Sequence, residues 1–223
     1  MEPIPLKYPK KSHRKLIKIP RQSSRLAELM GIEFGDGGIG NNWQMIITLN
    51  ADKDAKYALY VKRIIDDLFN INVVFRKRGE RTLQIISSST SLVDFLVKCG
   101  AVRGNKIEKK FDIPAWIHKK EIYEKLFVRG LVDTDGCLYI HKHVVRGKAY
   151  KNIGFCFTSF SRNLLYSVSD IFRKFGIEPH IVAKGSRICL YGKDSILKYL
   201  QIFGSSNPRI INIYKEWRDA RVA

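Results

Sequence analysis

The sequence has no long apolar run and no apolar segment at its N-terminus. Nowhere among its 223 residues does an apolar stretch approach the roughly 18 residues that a membrane-spanning helix needs. The first residues are basic but lack the apolar core of a signal peptide. We therefore expect no membrane association, and a location in the cytoplasm or in an organellar matrix.

Closely spaced cysteines are also missing. The four cysteines, Cys99, Cys137, Cys156 and Cys189, are far apart in the sequence, and no C-x-x-C is present. This spacing excludes a zinc ribbon and a C-x-x-C redox pair. Each cysteine has apolar sequence neighbours, so we interpret it as a small buried thiol in a reducing compartment.

Acidic residues are scarce relative to basic ones. The 21 Asp and Glu residues stand against 40 Lys and Arg residues, which gives a formal net charge of +19. A charge this large indicates a polyanionic partner, most simply nucleic acid. The alternative, a basic but inert surface, is less favoured because the excess is spread along the whole chain. The hydrophobic content of 45% is sufficient for a folded core.

The chain divides into an arm and two similar halves. Residues 1–22 form either an extended basic arm or a solvated tail. Residues 23–100 and 121–204 are repeats, separated by a charged linker over 101–120 and followed by a C-terminal extension over 205–223. Hydrophobic periodicity predicts the order α-β-β-α-β-β-α in both repeats, which indicates an α+β protein with two antiparallel sheets.

The predicted strands alternate in polarity. In "WQMIITLN" the apolar Met45, Ile47 and Leu49 point to one side, and Gln44 and Thr48 point to the other. One face can pack on helices while the polar face meets a ligand. A two-stranded antiparallel ribbon fits the DNA major groove, although a solvated sheet face is the simpler interpretation of any single strand.

A nine-residue pattern closes the first helix of each repeat. "LMGIEFGDG" covers residues 29–37 and "VRGLVDTDG" covers residues 128–136. Gly31 and Gly35 lie four residues apart on one helix face, and Gly130 and Thr134 repeat this small-residue spacing. Glycine inside a helix costs about 1 kcal/mol relative to alanine. That cost is explained if the two motif helices pack with their backbones in close approach.

Such packing places Asp36 and Asp135 side by side at two helix C-termini. Each carboxylate is repelled by the partial negative charge of its helix end and by the other carboxylate. A hard divalent cation such as Mg²⁺ is the natural bridge. Beside a basic surface, this arrangement suggests metal-assisted hydrolysis of phosphodiesters. A helix stop with an Asx-type turn is the simpler interpretation of either Asp-Gly alone.

Both stretches resemble the signature of the LAGLIDADG homing endonucleases, and the repeat order extends this resemblance over about residues 25–204. The segment "FGSSNPR" near the end of the second repeat also resembles this family. The resemblance implies a monomer whose two sheets form a saddle on a long, asymmetric DNA target. Phe34 departs from the family pattern by replacing an acid that Asp133 retains, and we interpret that position as structural.

The resemblance also implies the roles of the site residues. Asp36 and Asp135 ligate two or three shared Mg²⁺ ions together with the backbone carbonyls of Gly35 and Thr134, and each acid serves the cutting of one strand. Short 3′ overhangs result. The candidate DNA contacts are Gln44, Thr48, Arg76, Arg78, Gln84, His141, His143, Lys184 and Arg187. The candidates for organising water are Gln84, Lys184 and Lys193.

His141 and His143 share one predicted strand face. A zinc site is the more specific interpretation of this histidine pair, but the sequence has no third zinc ligand nearby. DNA contact or simple exposure is therefore favoured.

These observations predict a site-specific, Mg²⁺-dependent endonuclease for double-stranded DNA, encoded within a mobile intron. An intein origin is disfavoured because the chain has no nucleophilic first residue and no terminal His-Asn. Two alternatives remain open. One is an RNA-binding maturase that helps its intron fold, and the other is a DNA-binding regulator that no longer cuts.

Overall fold

The first repeat forms one antiparallel sheet with three helices. The computed structural model describes residues 5–8, 15–106 and 108–220. The helices and strands of the first repeat are α1 Ser24–Phe34, β1 Gly37–Gly38, β2 Gln44–Asn50, α2 Ala55–Phe69, β3 Val73–Arg78, β4 Thr82–Ser88 and α3 Thr90–Lys98. The strand order is β1-β2-β4-β3. The predicted order of elements is confirmed, with the two glycines of β1 as the first strand.

The second repeat has the same plan. Its elements are α4 Glu121–Asp135, β5 Gly136–Val145, β6 Lys148–Thr158, α5 Arg162–Lys174, β7 His180–Val182, β8 Arg187–Leu190 and α6 Lys193–Ile202. The strand order β5-β6-β8-β7 repeats that of the first sheet. The predicted α+β fold with two antiparallel sheets is therefore confirmed.

Side-chain caps and alternating polarity fix these elements locally. The Ser23 hydroxyl accepts a hydrogen bond from the Leu26 amide at the start of α1, as the sequence predicts. Ser89 and Ser161 cap α3 and α5 in the same way. On β2, Met45 and Ile47 are fully buried against the helices, whereas Thr48 is exposed on the opposite face.

The two motif helices α1 and α4 pack against each other at the centre of the molecule. A Cβ atom added to Gly31 would lie 2.0 Å from the backbone oxygen of Phe127. A Cβ atom added to Gly130 would lie 2.3 Å from the backbone oxygen of Glu28. The predicted close approach is confirmed, because any larger side chain at these positions would force the two backbones apart.

The segments outside the repeats are more structured than the sequence indicates. The linker carries a 3₁₀ turn over Ile117–Lys119, and Trp116 and Ile117 are buried in the core. The C-terminal extension forms a further helix, α7 Pro208–Asp219, which the periodicity analysis does not predict.

The N-terminal arm contacts the first repeat where it is described. The Lys18 amide donates a hydrogen bond to the Phe69 carbonyl, and the Lys7 amide donates one to Asp94. Residues 1–4 and 9–14, which complete the predicted arm, lie outside the described residues. Within the described ranges, no helix is long and apolar enough to cross a membrane.

The glycine contact between α1 and α4 gives the first prediction. We expect Gly31→Ala to lower the free energy of unfolding by about 1–3 kcal/mol, because the new methyl group overpacks the helix interface. Helix propensity alone predicts the opposite sign, a gain of about 1 kcal/mol. Urea unfolding monitored by circular dichroism measures the difference.

Gly40→Ala is the matched control, since no heavy atom lies within 4 Å of a Cβ atom at this position. We expect it to change stability by less than about 0.5 kcal/mol. Equal effects of the two substitutions would contradict the close approach at Gly31.

Candidate active site

The packing of α1 against α4 brings the two motif acids to one place. Asp36 follows α1 by two residues, and Asp135 is the last residue of α4. A Cβ atom added to Gly35 would lie 2.0 Å from Thr134 Oγ1 and 3.4 Å from Asp135 Oδ2. The Thr134 hydroxyl itself donates to the Gly130 and Leu131 carbonyls at 3.1 and 2.8 Å. The small residues therefore let the two helix ends converge.

Partial removal from water perturbs both acids, and the charge of Asp135 perturbs Asp36 as well. The pKa of Asp36 is raised to about 7, first by burial and then by the charges of Asp135 and Asp54. The pKa of Asp135 is raised to about 6, chiefly by burial. Such shifts mean that the ionised pair is unfavourable in the folded chain unless a cation lies nearby. Perturbed carboxyls of this kind concentrate at functional sites.

One cation at the site comes from the linker. The Lys106 ammonium donates to the Glu33 and Gly37 carbonyls, the latter at 2.8 Å, and lies 3.3 Å from Glu33 Oε1. Its positive charge lowers the pKa of both Asp36 and Asp135 and partly opposes the effect of burial. Lys106 thus neutralises the carbonyl-rich end of α1, where the first acid emerges.

A second cation comes from the first turn of α7. The Arg209 guanidinium donates to Asp54 Oδ1 at 3.2 Å and to the Asp133 carbonyl at 3.4 Å. Its charge lowers the pKa of Asp36. Asn207 supports the same contact, because its side-chain amide donates to Asp54 Oδ1 at 2.8 Å and to the Asp133 carbonyl at 3.0 Å.

The earlier acid of the second motif is held by hydrogen bonds inside the protein. Asp133 is fully buried, and it accepts hydrogen bonds from the Ser205 hydroxyl and, at 2.7 Å, from the Ser206 amide. These bonds attach the "SSNPR" segment to α4. Asp133 therefore connects α4 to this segment, which agrees with the structural role that the sequence suggests.

A buried ion pair joins the two motif helices beside this connection. Arg129 on α4 donates to both carboxylate oxygens of Glu28 on α1, at 3.1 and 2.8 Å. Tyr60 and Ser206 add hydroxyl donors to Glu28 at 2.8 and 3.1 Å. Four donors satisfy this buried carboxylate, so it locks the register of the helices without leaving an unpaired charge.

An open cavity of about 320 Å³ adjoins Asp135. Its lining residues are Phe34, Gly35, Lys106, Asp135, Thr158, Ser159 and Phe160. The cavity combines a carboxylate, an ammonium and hydroxyls with an exposed aromatic ring at its rim. This chemistry suits a phosphate group brought in on a larger ligand.

The donor set at the helix ends fits a hard cation. Two carboxylates converge with the last carbonyls of two helices, which have no partner within their own helix. Oxygen donors of this kind suit Mg²⁺. Among the described residues, no group of three or more His, Cys, Asp or Glu side chains is placed to hold a metal ion. Any ion here therefore depends on backbone oxygens, water or a ligand to complete its coordination.

The outer face of the first sheet carries most of its predicted DNA contacts. Register pairs Thr48 with Gln84 and Arg76 with Gln84, which puts all three on the face opposite the core. Arg78 lies on that face as well, and Arg76 donates to Gln84 Oε1 at 2.9 and 3.2 Å. Gln44 completes the row and donates to Ser88 at 3.2 Å.

The outer face of the second sheet is aromatic as well as basic. His141 stacks on His143 with ring centroids 5.1 Å apart, and His143 stacks on Tyr150 at 5.5 Å. Arg187 lies on the same face, opposite Thr158. The predicted shared face of the two histidines is confirmed.

Two candidate lysines lie outside the strands of the second sheet. Lys193 is the first residue of α6. Lys184 lies in the 3₁₀ turn between β7 and β8 with φ of +55°. Neither lysine contributes to the pair of acids in this structure.

Sequence reasoning missed Lys106, Arg209 and Asp54 as neighbours of the acids. A signal for two of them exists in the internal repeat. Gly100 and Gly204 end their helices with positive φ, and Lys106 and Arg209 follow them by six and five residues. In both repeats, a basic residue thus follows the glycine that ends the last helix. This basic residue belongs to a segment that returns to the two acids.

Comparison with known proteins shows which domain family and which solved structures this chain resembles. Residues 122–208 match the family model of the LAGLIDADG-like domain. Among solved structures, I-SmaMI bound to an uncleaved DNA target with calcium ions has a TM-score of 0.62 at 11% identity, covering 89% of this chain and 90% of that one. I-DmoI in complex with DNA and Ca has a TM-score of 0.55 at 17% identity, covering 82% and 91%.

The second repeat is thus a LAGLIDADG-like domain, and the chain has the fold of the single-chain LAGLIDADG homing endonucleases. Curated relatives include the tRNA-splicing ligase RtcB of Methanopyrus kandleri, 26% identical over 204 residues, which are 78% of this chain and 20% of the relative. The RtcB of Pyrococcus abyssi is 25% identical over 205 residues, 79% of this chain and 21% of the relative. The chain spans about a fifth of the length of these relatives.

The raised pKa of Asp36 predicts a pH-dependent stability in metal-free buffer. Because the folded pKa is above the unfolded value, the stabilising contribution is present below about pH 4 and is lost as pH rises to about 7. We expect Asp36→Asn to raise the free energy of unfolding by about 2–4 kcal/mol at pH 8. Its advantage over the native chain should vanish near pH 4. Urea unfolding in EDTA across this range tests it.

The exposed Asp52 supplies the control. Asp52→Asn should follow the native profile at every pH. If Asp36→Asn is no more stable than Asp52→Asn at pH 8, Asp36 is not held in an unfavourable ionised state.

Proposed function

We propose that the protein is a site-specific endonuclease that hydrolyses both strands of duplex DNA with the help of Mg²⁺. The observation that carries this proposal is the pair of carboxylates with raised pKa values, Asp36 and Asp135, at the junction of two sheets whose outer faces are basic. Relatives in this fold class have been solved with DNA and Ca, which supports a divalent cation and a duplex partner.

Different residues of this chain then have different roles in the reaction. Asp36 and Asp135, with the carbonyls of Gly35 and Thr134, hold the cation. When bound, Mg²⁺ supplies an activated water and stabilises the departing 3′ oxygen. Lys106 keeps the acids ionised and faces the cavity in which a phosphate fits. One acid serves each strand, and the cuts leave short 3′ overhangs.

The sheets supply binding and sequence readout. Positive charge on their outer faces neutralises phosphates and makes binding sensitive to salt. Side chains such as Gln44, Gln84 and Arg76 can reach base edges in the major groove. The β5–β6 hairpin is much longer than β1–β2, so the two halves of a bound duplex meet different surfaces. A single chain on a long, asymmetric target follows from this difference.

RNA is the principal alternative ligand, since the curated relatives are named tRNA-splicing ligases. A maturase would bind its intron RNA tightly and act without metal. A regulator that no longer cuts would bind duplex DNA and leave it intact. The paired acids favour the endonuclease over both. Salt titrations with duplex DNA and with single-stranded RNA separate these functions by affinity and slope.

The genetic setting remains part of the proposal. We place the gene within a mobile intron and the protein in the cytoplasm or an organellar matrix. The match to a fifth of a tRNA-splicing ligase means that a similar segment also lies within longer proteins. A cleavage site that coincides with the boundary of an insertion would support mobility.

Cleavage of a randomised duplex library with Mg²⁺ tests the activity. We expect double-strand breaks at one sequence, detected by adaptor ligation and sequencing, and none in EDTA. Asp36→Asn and Asp135→Asn should each abolish double-strand cutting, a loss of at least about 100-fold, because each removes a metal ligand. Binding of the selected duplex should stay within about threefold, since neither acid contacts the groove faces.

Asp52→Asn is again the control and should cut at the native rate. Absence of cutting by the native chain on all library members would refute the endonuclease, and normal cutting by both Asn variants would refute the site.

Lys106→Met tests the linker cation separately. Removing the ammonium leaves the acids harder to ionise, so we expect cleavage at pH 7.5 to slow by about 10- to 100-fold, the range of a supporting contact to a metal site. Raising Mg²⁺ should recover part of the rate. Lys106→Arg should retain more activity than Lys106→Met, because it keeps the charge.

Lys110 is an exposed linker lysine and supplies the matched control. Lys110→Met removes the same charge from the chain and should leave the rate unchanged. Equal loss in both variants would show that only net charge matters.

A further inference from the structure

Three of the four cysteines form a row across the second sheet. Cys137 on β5 is directly opposite Cys156 on β6, and Cys156 is directly opposite Cys189 on β8. Directly opposed residues of antiparallel strands have Cα atoms about 4.5 or 5.5 Å apart. Both spacings fall within the range of about 4.4–6.8 Å that a disulfide needs. The row is a feature that sequence spacing hides, because the three residues are far apart along the chain.

The row lies on the outer face of the sheet. Leu138, Phe155 and Phe157 alternate with the cysteines and are buried in the core, so Cys137 and Cys156 point the other way. Tyr139 lies on the same face, and its ring covers Gly154 beside the thiols. The proposed DNA-facing surface therefore includes both sulfur atoms, two residues beyond Asp135.

The pair Cys137 and Cys156 is the one best placed to react. They are register partners on neighbouring strands, and both residues are partly exposed. Cys189 is buried, with 5% of its surface exposed, so a dissolved oxidant reaches it less easily. Cys99 lies at the end of α3, away from the row, where its carbonyl accepts a hydrogen bond from Trp116.

We propose that Cys137 and Cys156 are a modification site, a dithiol that a hydroperoxide converts reversibly into a cross-strand disulfide on the DNA-facing side of the second sheet. Only the placement against DNA rests on the proposed function. The disulfide itself rests on the strand register and on the partial exposure of the two cysteines. The partial exposure of both residues differs from the sequence-based interpretation of each cysteine as a small buried thiol.

The chemistry balances with one hydroperoxide. The Cys137 sulfur attacks one oxygen of hydrogen peroxide and gives up its thiol proton, the O–O bond breaks, and the leaving hydroxide takes up a proton to become water. The Cys156 sulfur then attacks the Cys137 sulfenic acid, the S–O bond breaks, and a second water leaves. Two thiols are oxidised by two electrons, and the peroxide is reduced by two. A dithiol reductant such as dithiothreitol reverses the bond by exchange.

The test uses the full chain, reduced and then freed of reductant under native conditions. After limited hydrogen peroxide, we expect the loss of two of the four thiols and of the mass of two hydrogen atoms. Peptide mapping should link the peptides that contain Cys137 and Cys156, and dithiothreitol should restore all four thiols. Cys156→Ser should form no intramolecular disulfide, and Cys99→Ser should behave as the native chain.

Retention of four thiols, a link that contains Cys99, or a link between Cys156 and Cys189 would overturn the assignment. A second arm repeats the oxidation with the selected duplex bound in EDTA. Slower disulfide formation supports the placement against DNA. An unchanged rate overturns that placement while the disulfide stands, so failure of the proposed function is distinguishable from failure of the site.

Discussion

The close approach of α1 and α4 is the constraint on which the rest of the structure depends. Gly31 and Gly130 leave no room for a Cβ atom between the two backbones, so the helices meet in one register. The buried pair of Glu28 and Arg129 fixes that register with directional hydrogen bonds. Because β5 begins directly where α4 ends, and β1 begins just past the end of α1, this contact also sets where both sheets start.

The same contact creates an electrostatic problem that other segments relieve. It holds Asp36 and Asp135 close together at the ends of the two helices, and the pKa of each is raised. Lys106 and Arg209 reach the acids from segments that follow each repeat's last helix. The charge of Lys106 lowers the pKa of both acids, and that of Arg209 lowers the pKa of Asp36, so both cations favour ionisation. Carboxylates that lower the stability of the metal-free protein are expected at a site selected for binding and not for stability.

The two halves share a strand order but not their details. The β5–β6 hairpin is long and carries stacked His141, His143 and Tyr150, whereas β1 has two residues. The row of cysteines occurs on the second sheet. Ser205 and Ser206 donate hydrogen bonds to Asp133 in the second motif. The corresponding residue of the first motif, Phe34, has no carboxylate that could accept such bonds. These differences suit a protein that reads unlike half-sites with one chain.

The sequence by itself determined the elements and the pairing of the motif helices. Alternation predicted the buried and outer faces of β2, and the glycine spacing predicted the helix contact, because both depend on short-range geometry. Tertiary structure alone decided which distant residues meet. Lys106 and Arg209 reach the acids, α7 forms, and three cysteines align through chain reversals that no local pattern encodes. Contacts across long loops depend on how whole elements pack, and the sequence records them only indirectly.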